Sequence, residues 1–277
     1  MQRLGLFFYG ARDMNENNRN NEETIIQDGV ITAILIDGGF YRKRAAYCLG
    51  YKSPDERADE LEAYCRRHLL ERIYGVKHCH SLYRIFYYDC PPSKKAIFNP
   101  ITKKNDELSR TSNYRWTEDF LDCLRRKRKF ALRLGELSDS NIGYYLNPQK
   151  TREILNGNLK VENITESDLQ LNMLQKGVDM RIGLDIASLA YKKEVNQIVL
   201  ISGDSDFVPA AKLARREGID FILDPLGANV KDSLFENIDG LNTRDNGFKR
   251  KKRFSAPNVE SDNTANIESV IPSESKE

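Results

Sequence analysis

Five short runs of β-branched and aromatic residues, spaced by helix-forming sequence, constrain this chain more than any other feature. They are Ile31–Ile36, Tyr83–Tyr88, Phe130–Leu134, Gln197–Ile201 and Asp220–Leu223. Each is nearly continuous in hydrophobicity and too short for a helix, as strands buried on both faces are. Alternation of such strands with helices calls for a mostly parallel sheet covered by helices on both faces.

The intervening segments carry their own start and stop signals. Ser53-Pro54-Asp55-Glu56 combines an N-cap serine, a first-turn proline and a glutamate at the third position, a capping box. Leu61, Cys65, Leu69 and Ile73 follow at helical spacing and predict one apolar stripe. Thr165–Asp168 predicts a second helix start by related logic. Val178, Ile182, Ile186 and Leu189 place a third helix after Gly177, and Phe207–Glu217 predicts a fourth that stops at Gly218.

Four of the five runs end at or beside an aspartate: Asp37, Asp89, Asp204 and Asp224. In a doubly wound sheet the carboxyl ends of the parallel strands share one edge, where ligands bind. Carboxylates gathered there repel one another unless a cation is present, and Mg²⁺ and Mn²⁺ favour carboxylate oxygens. Not all four need be ligands. Asp89-Cys90-Pro91-Pro92 and Asp224-Pro225 read equally as turns. Ser202-Gly203-Asp204-Ser205-Asp206 holds more acid than a turn or cap requires. Asp179 opens the helix that leads into the fourth strand, so it shares the strand-end edge, although an acidic residue also suits a first helical turn. Asp185, about 9 Å further along that helix, reads as a buried hydrogen-bonding group or an outer ligand.

These residues carry a family resemblance. Ala33–Phe40, with Asp37-Gly38-Gly39 at its end, resembles the first strand of NYN domains, in particular the LabA-like branch. Lys176–Asp179 with Asp185 resembles that family's central helix motif, and Ile201–Phe207 its most distinctive signature. Asp224–Gly227, followed by Leu234 and Asp239, resembles its usual ending. The resemblance runs from Ile31 to Asp239 and leaves Ser93–Trp116 and Asn141–Asn163 without a family pattern. It implies a PIN-like, Rossmann-like three-layer α/β fold and metal-dependent cleavage of RNA, the expected substrate being single-stranded. It supports Asp37, Asp179, Asp204 and Asp206 as catalytic and metal-binding residues, with Mg²⁺ or Mn²⁺. Lys176, Ser202, Asp185 and Asp89 are secondary candidates.

Two basic runs are candidates for holding phosphates: Arg125, Arg126, Lys127, Arg128 and Lys129, and Lys249, Arg250, Lys251, Lys252 and Arg253. The first also suits a helix C-terminus, and the second suits a solvated linker. Net charge is only +2, so the argument for nucleic acid is local. Cys65, His68, His78 and His80 match no familiar zinc spacing. The five cysteines form no regular framework, which fits a reducing cytoplasm. No export signal is expected at Met1–Ala11, and no apolar run approaches the roughly 20 residues of a membrane span.

Composition divides the chain into a poorly ordered lead-in at 1–29, a folded domain at 30–245, and a basic then acidic tail at 246–277. A catalytically weak or inactive protein of the same fold, binding RNA or a protein partner, is the alternative function, and a homo-oligomer is allowed. A dinucleotide site would need a glycine fingerprint after the first strand, and a dehalogenase-type phosphatase a second aspartate there. Neither is present.

Overall fold

Ala33, Ile34, Leu35 and Ile36 have no solvent exposure, as a strand covered on both faces requires. The computed structural model describes residues 25–137, 142–173 and 175–249. Strand β1 spans Ile25–Asp37 and leads into helices α1 (Gly38–Leu49) and α2 (Pro54–His68). A hairpin follows, β2 (Leu70–Ile73) and β3 (Val76–Asp89). Next come β4 (Ala96–Asn99), β5 (Lys104–Glu107), α3 (Ser112–Arg126), β6 (Phe130–Leu134) and β7 (Glu136–Leu137). Then follow β8 (Gly143–Leu146), α4 (Pro148–Leu155), β9 (Leu169–Asn172), β10 (Gln175–Lys176) and α5 (Val178–Lys192). The chain continues through β11 (Gln197–Ile201), α6 (Val208–Arg216), β12 (Asp220–Asp224), α7 (Asp232–Phe235), β13 (Gly240–Leu241) and α8 (Asn246–Lys249).

The main sheet runs β13-β12-β11-β1-β3-β2, with β6 also on β3. Every pairing in it is parallel except β2 with β3. Side-chain alternation along β1 sorts the core into two clusters. Ala33 and Leu35 pack with Ile182, Ile186 and Leu189 of α5 and Ala211 of α6. Ile34 and Ile36 pack with Tyr41 of α1, Leu61 and Cys65 of α2, and Phe120 and Leu124 of α3. The result is a mixed α/β fold with a mostly parallel sheet.

Several local expectations are met and others change. The Ser53–Glu56 capping box is formed, and Gly218 takes φ +82 just beyond α6. The predicted stripe breaks at Ile73. Helix α2 ends at His68, and Ile73 lies exposed in β2, where Ile73 and Val76 close a tight turn through Tyr74-Gly75. Thr165 and Asp168 do form a reciprocal cap, but it closes a single 3₁₀ turn. Leu169–Asn172 then pairs with β8, so the ladder claims the backbone that a helix would need. Strand β1 begins at Ile25, ahead of the boundary drawn at 30, and Phe248 packs into the second cluster beyond the boundary drawn at 245. The remainder of the lead-in and tail lies outside the described residues.

Candidate functional site

The register puts the strand ends in one row. Asp37 is opposite Tyr88, Ile36 opposite Ile201, Ile201 opposite Asp224, and Asp89 opposite Leu134. The chain leaves β1 toward β3 and β6, then crosses back to β11, β12 and β13 on the other side. Strand order therefore reverses between β1 and β11, where an open α/β sheet forms its ligand crevice.

Asp37 ends β1 and caps α1, accepting from the Phe40 amide at 3.0 Å. Ser202, fully buried after β11, donates from Oγ to Asp37 Oδ2 at 3.3 Å and accepts from the Asp204 amide at 3.3 Å. Asp204 Oδ1 accepts from the Asp206 amide at 3.0 Å. One buried hydroxyl thus links the carboxylate of one strand end to the turn that follows the neighbouring strand. Close packing holds this geometry. A Cβ on Gly38 would stand 2.6 Å from the Tyr88 carbonyl oxygen, and one on Gly203 would stand 2.8 Å from the Phe40 ring.

The electrostatics follow from burial and like charge. Burial pushes the Asp37 carboxyl up to about 6, and the charges of Asp179 and Asp89 push in the same direction. The bonds from Phe40 and Ser202 oppose the rise. Asp179, at the first turn of α5, is also raised, by burial and then by Asp204 and Asp206. Asp179 thus lies within electrostatic reach of Asp37 on one side and of Asp204 and Asp206 on the other. No Lys or Arg ion pair to any of the four is found among the described residues.

The secondary candidates part company. Asp89 is fully buried, paired with Arg42 at 3.0 Å, and also accepts from Tyr87 Oη and the Cys90 amide. It is neither a surface turn nor an open ligand. Asp224, read as turn chemistry, is likewise buried. It accepts from Tyr64, from Thr243 Oγ1 at 2.9 Å and from the Leu226 amide at 2.9 Å, and lies 2.8 Å from His68 Nε2. Asp185 is occupied by Tyr88 Oη at 2.7 Å and Arg133 Nε at 3.1 Å. Lys176 is exposed in β10, immediately before the left-handed Gly177 that begins α5.

Gln175 was missed by the sequence reading. Its Nε2 donates to Asp89 Oδ1 at 3.3 Å, and its amide flanks the space above Gly39 beside Asp37 Oδ1. Its only sequence signal was its position just before the helix motif.

The basic run 125–129 does not join the acidic edge. It ends α3 and enters the start of β6, whereas Leu134 at the far end of β6 pairs with Asp89. Arg125 pairs with Asp122, Lys127 with Asp59 and Glu62, and Lys129 donates to the Leu82 carbonyl. These partners explain the run as a helix end. Lys249 ends α8, and Arg250–Arg253 lie outside the described residues. The four residues Cys65, His68, His78 and His80 are divided in space. Cys65 and His68 are in the core near Asp224, whereas His78 and His80 sit near Asp28 and Glu71 in the β2–β3 region.

The four aspartates suit a hard divalent cation in donor chemistry and in uncompensated charge. Among the described residues, however, no three acidic, imidazole or thiol groups already form a metal-binding group. The fit is one of chemistry and charge, without a closed coordination shell. No described helix is long and apolar enough to cross a membrane.

Residues 111–234 match the NYN domain family. That span includes Asp179, Asp204 and Asp206 and begins after Asp37, whose place in the site stands on the sheet register. Among solved structures, a protein of unknown function, VPA0982 from Vibrio parahaemolyticus RIMD 2210633, is similar at 16% identity with a TM-score of 0.39. The similarity covers 79% of this chain and 96% of that one. A comparison with curated proteins finds no match.

Proposed function

The chain carries an NYN domain, and from that premise we propose that it is a metal-dependent ribonuclease of the LabA-like branch, hydrolysing single-stranded RNA in the cytoplasm. The observation that carries this reading is the uncompensated carboxylate row at the strand-order reversal, with Asp37 pushed up to about 6. We read the helices packed over the two core clusters as the outer layers of a PIN-like three-layer fold.

Asp37, Asp179, Asp204 and Asp206 would hold Mg²⁺ or Mn²⁺. A bound cation of this kind supplies an acidified water and neutralises phosphate charge. The remaining work falls to the chain itself. Ser202 aims Asp37 toward the Asp204 turn. The Asp89–Arg42 pair braces the neighbouring strand end. Gln175 offers an amide donor and acceptor beside Asp37 for a ribose hydroxyl or phosphate oxygen.

The open carboxylate arrangement also favours a second reading, in which the same fold binds RNA or a protein partner without cutting. Incubating the purified chain with labelled single-stranded RNA in Mg²⁺, Mn²⁺ or chelator separates the two. The nuclease reading expects cutting in metal and none in chelator. RNA that is bound but uncut in every condition supports the binding protein.

A further inference from the structure

The segments without a family pattern build a surface of their own. Strands β4 and β5 form one hairpin, and β8 and β9 another. The two lie side by side through β4 and β8, closer than the ~10 Å of stacked sheets. They remain two separate two-stranded sheets that abut with β4 and β8 at the centre of the patch.

Alternation decides which side chains point where. Ile97 and Asn99 of β4 are buried, and Asn99 Nδ2 donates to Asp106 Oδ2 of β5 at 2.9 Å. Tyr144 of β8 reaches the same Asp106 oxygen at 2.8 Å, so its ring runs along this inner face. Phe98 and Tyr145 are the next residues on the two central strands and turn to the outer face. They are 58% and 50% exposed. Across their ladders stand Asn105 and Gln170, with Asn172 opposite Gly143. Two bare rings on central strands, flanked by amides, form a stacking platform with donors and acceptors at its margins.

Charge and position favour one occupant. Between 93 and 116 the chain has Lys94, Lys95, Lys103, Lys104, Arg110 and Arg115 against only Asp106 and Glu107. Asp106 is engaged on the inner face and Glu107 by Arg110. The patch also adjoins the acidic edge. Asn172 is three residues before Gln175, at most ~11 Å along the chain, and Gln175 flanks Asp37.

We propose that the outer face of β4, β5, β8 and β9 binds single-stranded RNA, with Phe98 and Tyr145 each stacking a base and Lys94, Lys103 and Lys104 meeting phosphates. The platform leads the strand toward the carboxylate row. It rests on the ribonuclease reading for its purpose, but its test stands apart from cleavage.

Binding is measured with the full chain, in chelator, to a labelled single-stranded RNA of about 12 nucleotides, within the ~4–16 that a single OB-fold surface spans. Phe98→Ala and Tyr145→Ala should each weaken affinity roughly 5- to 150-fold, the range that stacking of one base supplies. Phe98→Trp and Tyr145→Trp should retain it, and Phe98→Leu should not. Replacing Lys94, Lys103 and Lys104 by Ala should lower the salt slope by about 0.7 per lysine. Unchanged affinity in both Ala variants overturns the platform, as does equal rescue by Leu and Trp. A change in self-association in place of RNA affinity also overturns it. If wild type binds through these rings but cuts no RNA, the platform stands and the nuclease reading fails. If wild type cuts and both Ala variants bind and cut as well as it does, the nuclease stands and the platform fails.

Discussion

Replacing Asp37 by Asn should stabilise the protein at alkaline pH while damaging its site. The folded chain holds the Asp37 proton more tightly than the unfolded chain, since the carboxyl rises from 3.8 to about 6. Its favourable contribution is therefore complete below the unfolded value and is lost as pH rises through about 6. Above that pH the folded state bears a desolvated charge facing other carboxylates. At 1.36 kcal/mol per unit, the shift sets a ceiling of about 3 kcal/mol, and partial solvent contact reduces it to roughly 1–3 kcal/mol. Asn removes the charge yet still accepts from the Phe40 amide, because its side-chain carbonyl is a good N-cap. Thermal unfolding followed by circular dichroism at pH 8 should place the Asn variant about 3–10 °C above wild type. Near pH 4 the gap should close. Millimolar Mn²⁺ at pH 8 should narrow it, by stabilising wild type more than the variant. An equal gap at both pH values, or a variant less stable at pH 8, would refute the electrostatic reasoning.

Three further outcomes follow from particular contacts. Gly38→Ala forces a methyl group against the Tyr88 carbonyl and Tyr87 ring, and should cost about 1–3 kcal/mol in urea unfolding. Asp224→Ala leaves Tyr64, Thr243 and the Leu226 amide as donors without their acceptor, at about 1–3 kcal/mol for each that stays unsatisfied, and should cost about 3–5 kcal/mol by the same measurement. Arg126→Glu with Arg128→Glu should leave RNA cleavage unchanged, because that end of α3 lies at the opposite edge of the sheet from Asp37.

The acidic row was legible because a general rule turns sequence position into place. A residue that follows a parallel strand lies on the carboxyl edge, wherever its partners come from. That rule located Asp37 and Asp204, and the helix onset at Gly177 located Asp179. Strands β6 and β11 were legible through composition alone. What could not be read depended on distant partners. Asp89 and Asp224 look like turn residues until Arg42, Tyr64 and His68 arrive from helices far away in the chain. The hairpins β4–β5 and β8–β9 have strands of only four residues, too short for their alternation to stand out from the surrounding sequence. Thr165 shows the limit of a local signal, since its cap forms and the next residues still join a ladder.

Asp204 tests the ribonuclease account most directly. It is exposed at the turn after β11, so Asp204→Asn removes one charge without opening the core. Cleavage of labelled single-stranded RNA in Mn²⁺, wild type beside Asp204→Asn with both shown to be folded, is the decisive comparison. The account predicts metal-dependent cutting by wild type and none by the variant. Equal metal-dependent cutting by both would contradict it.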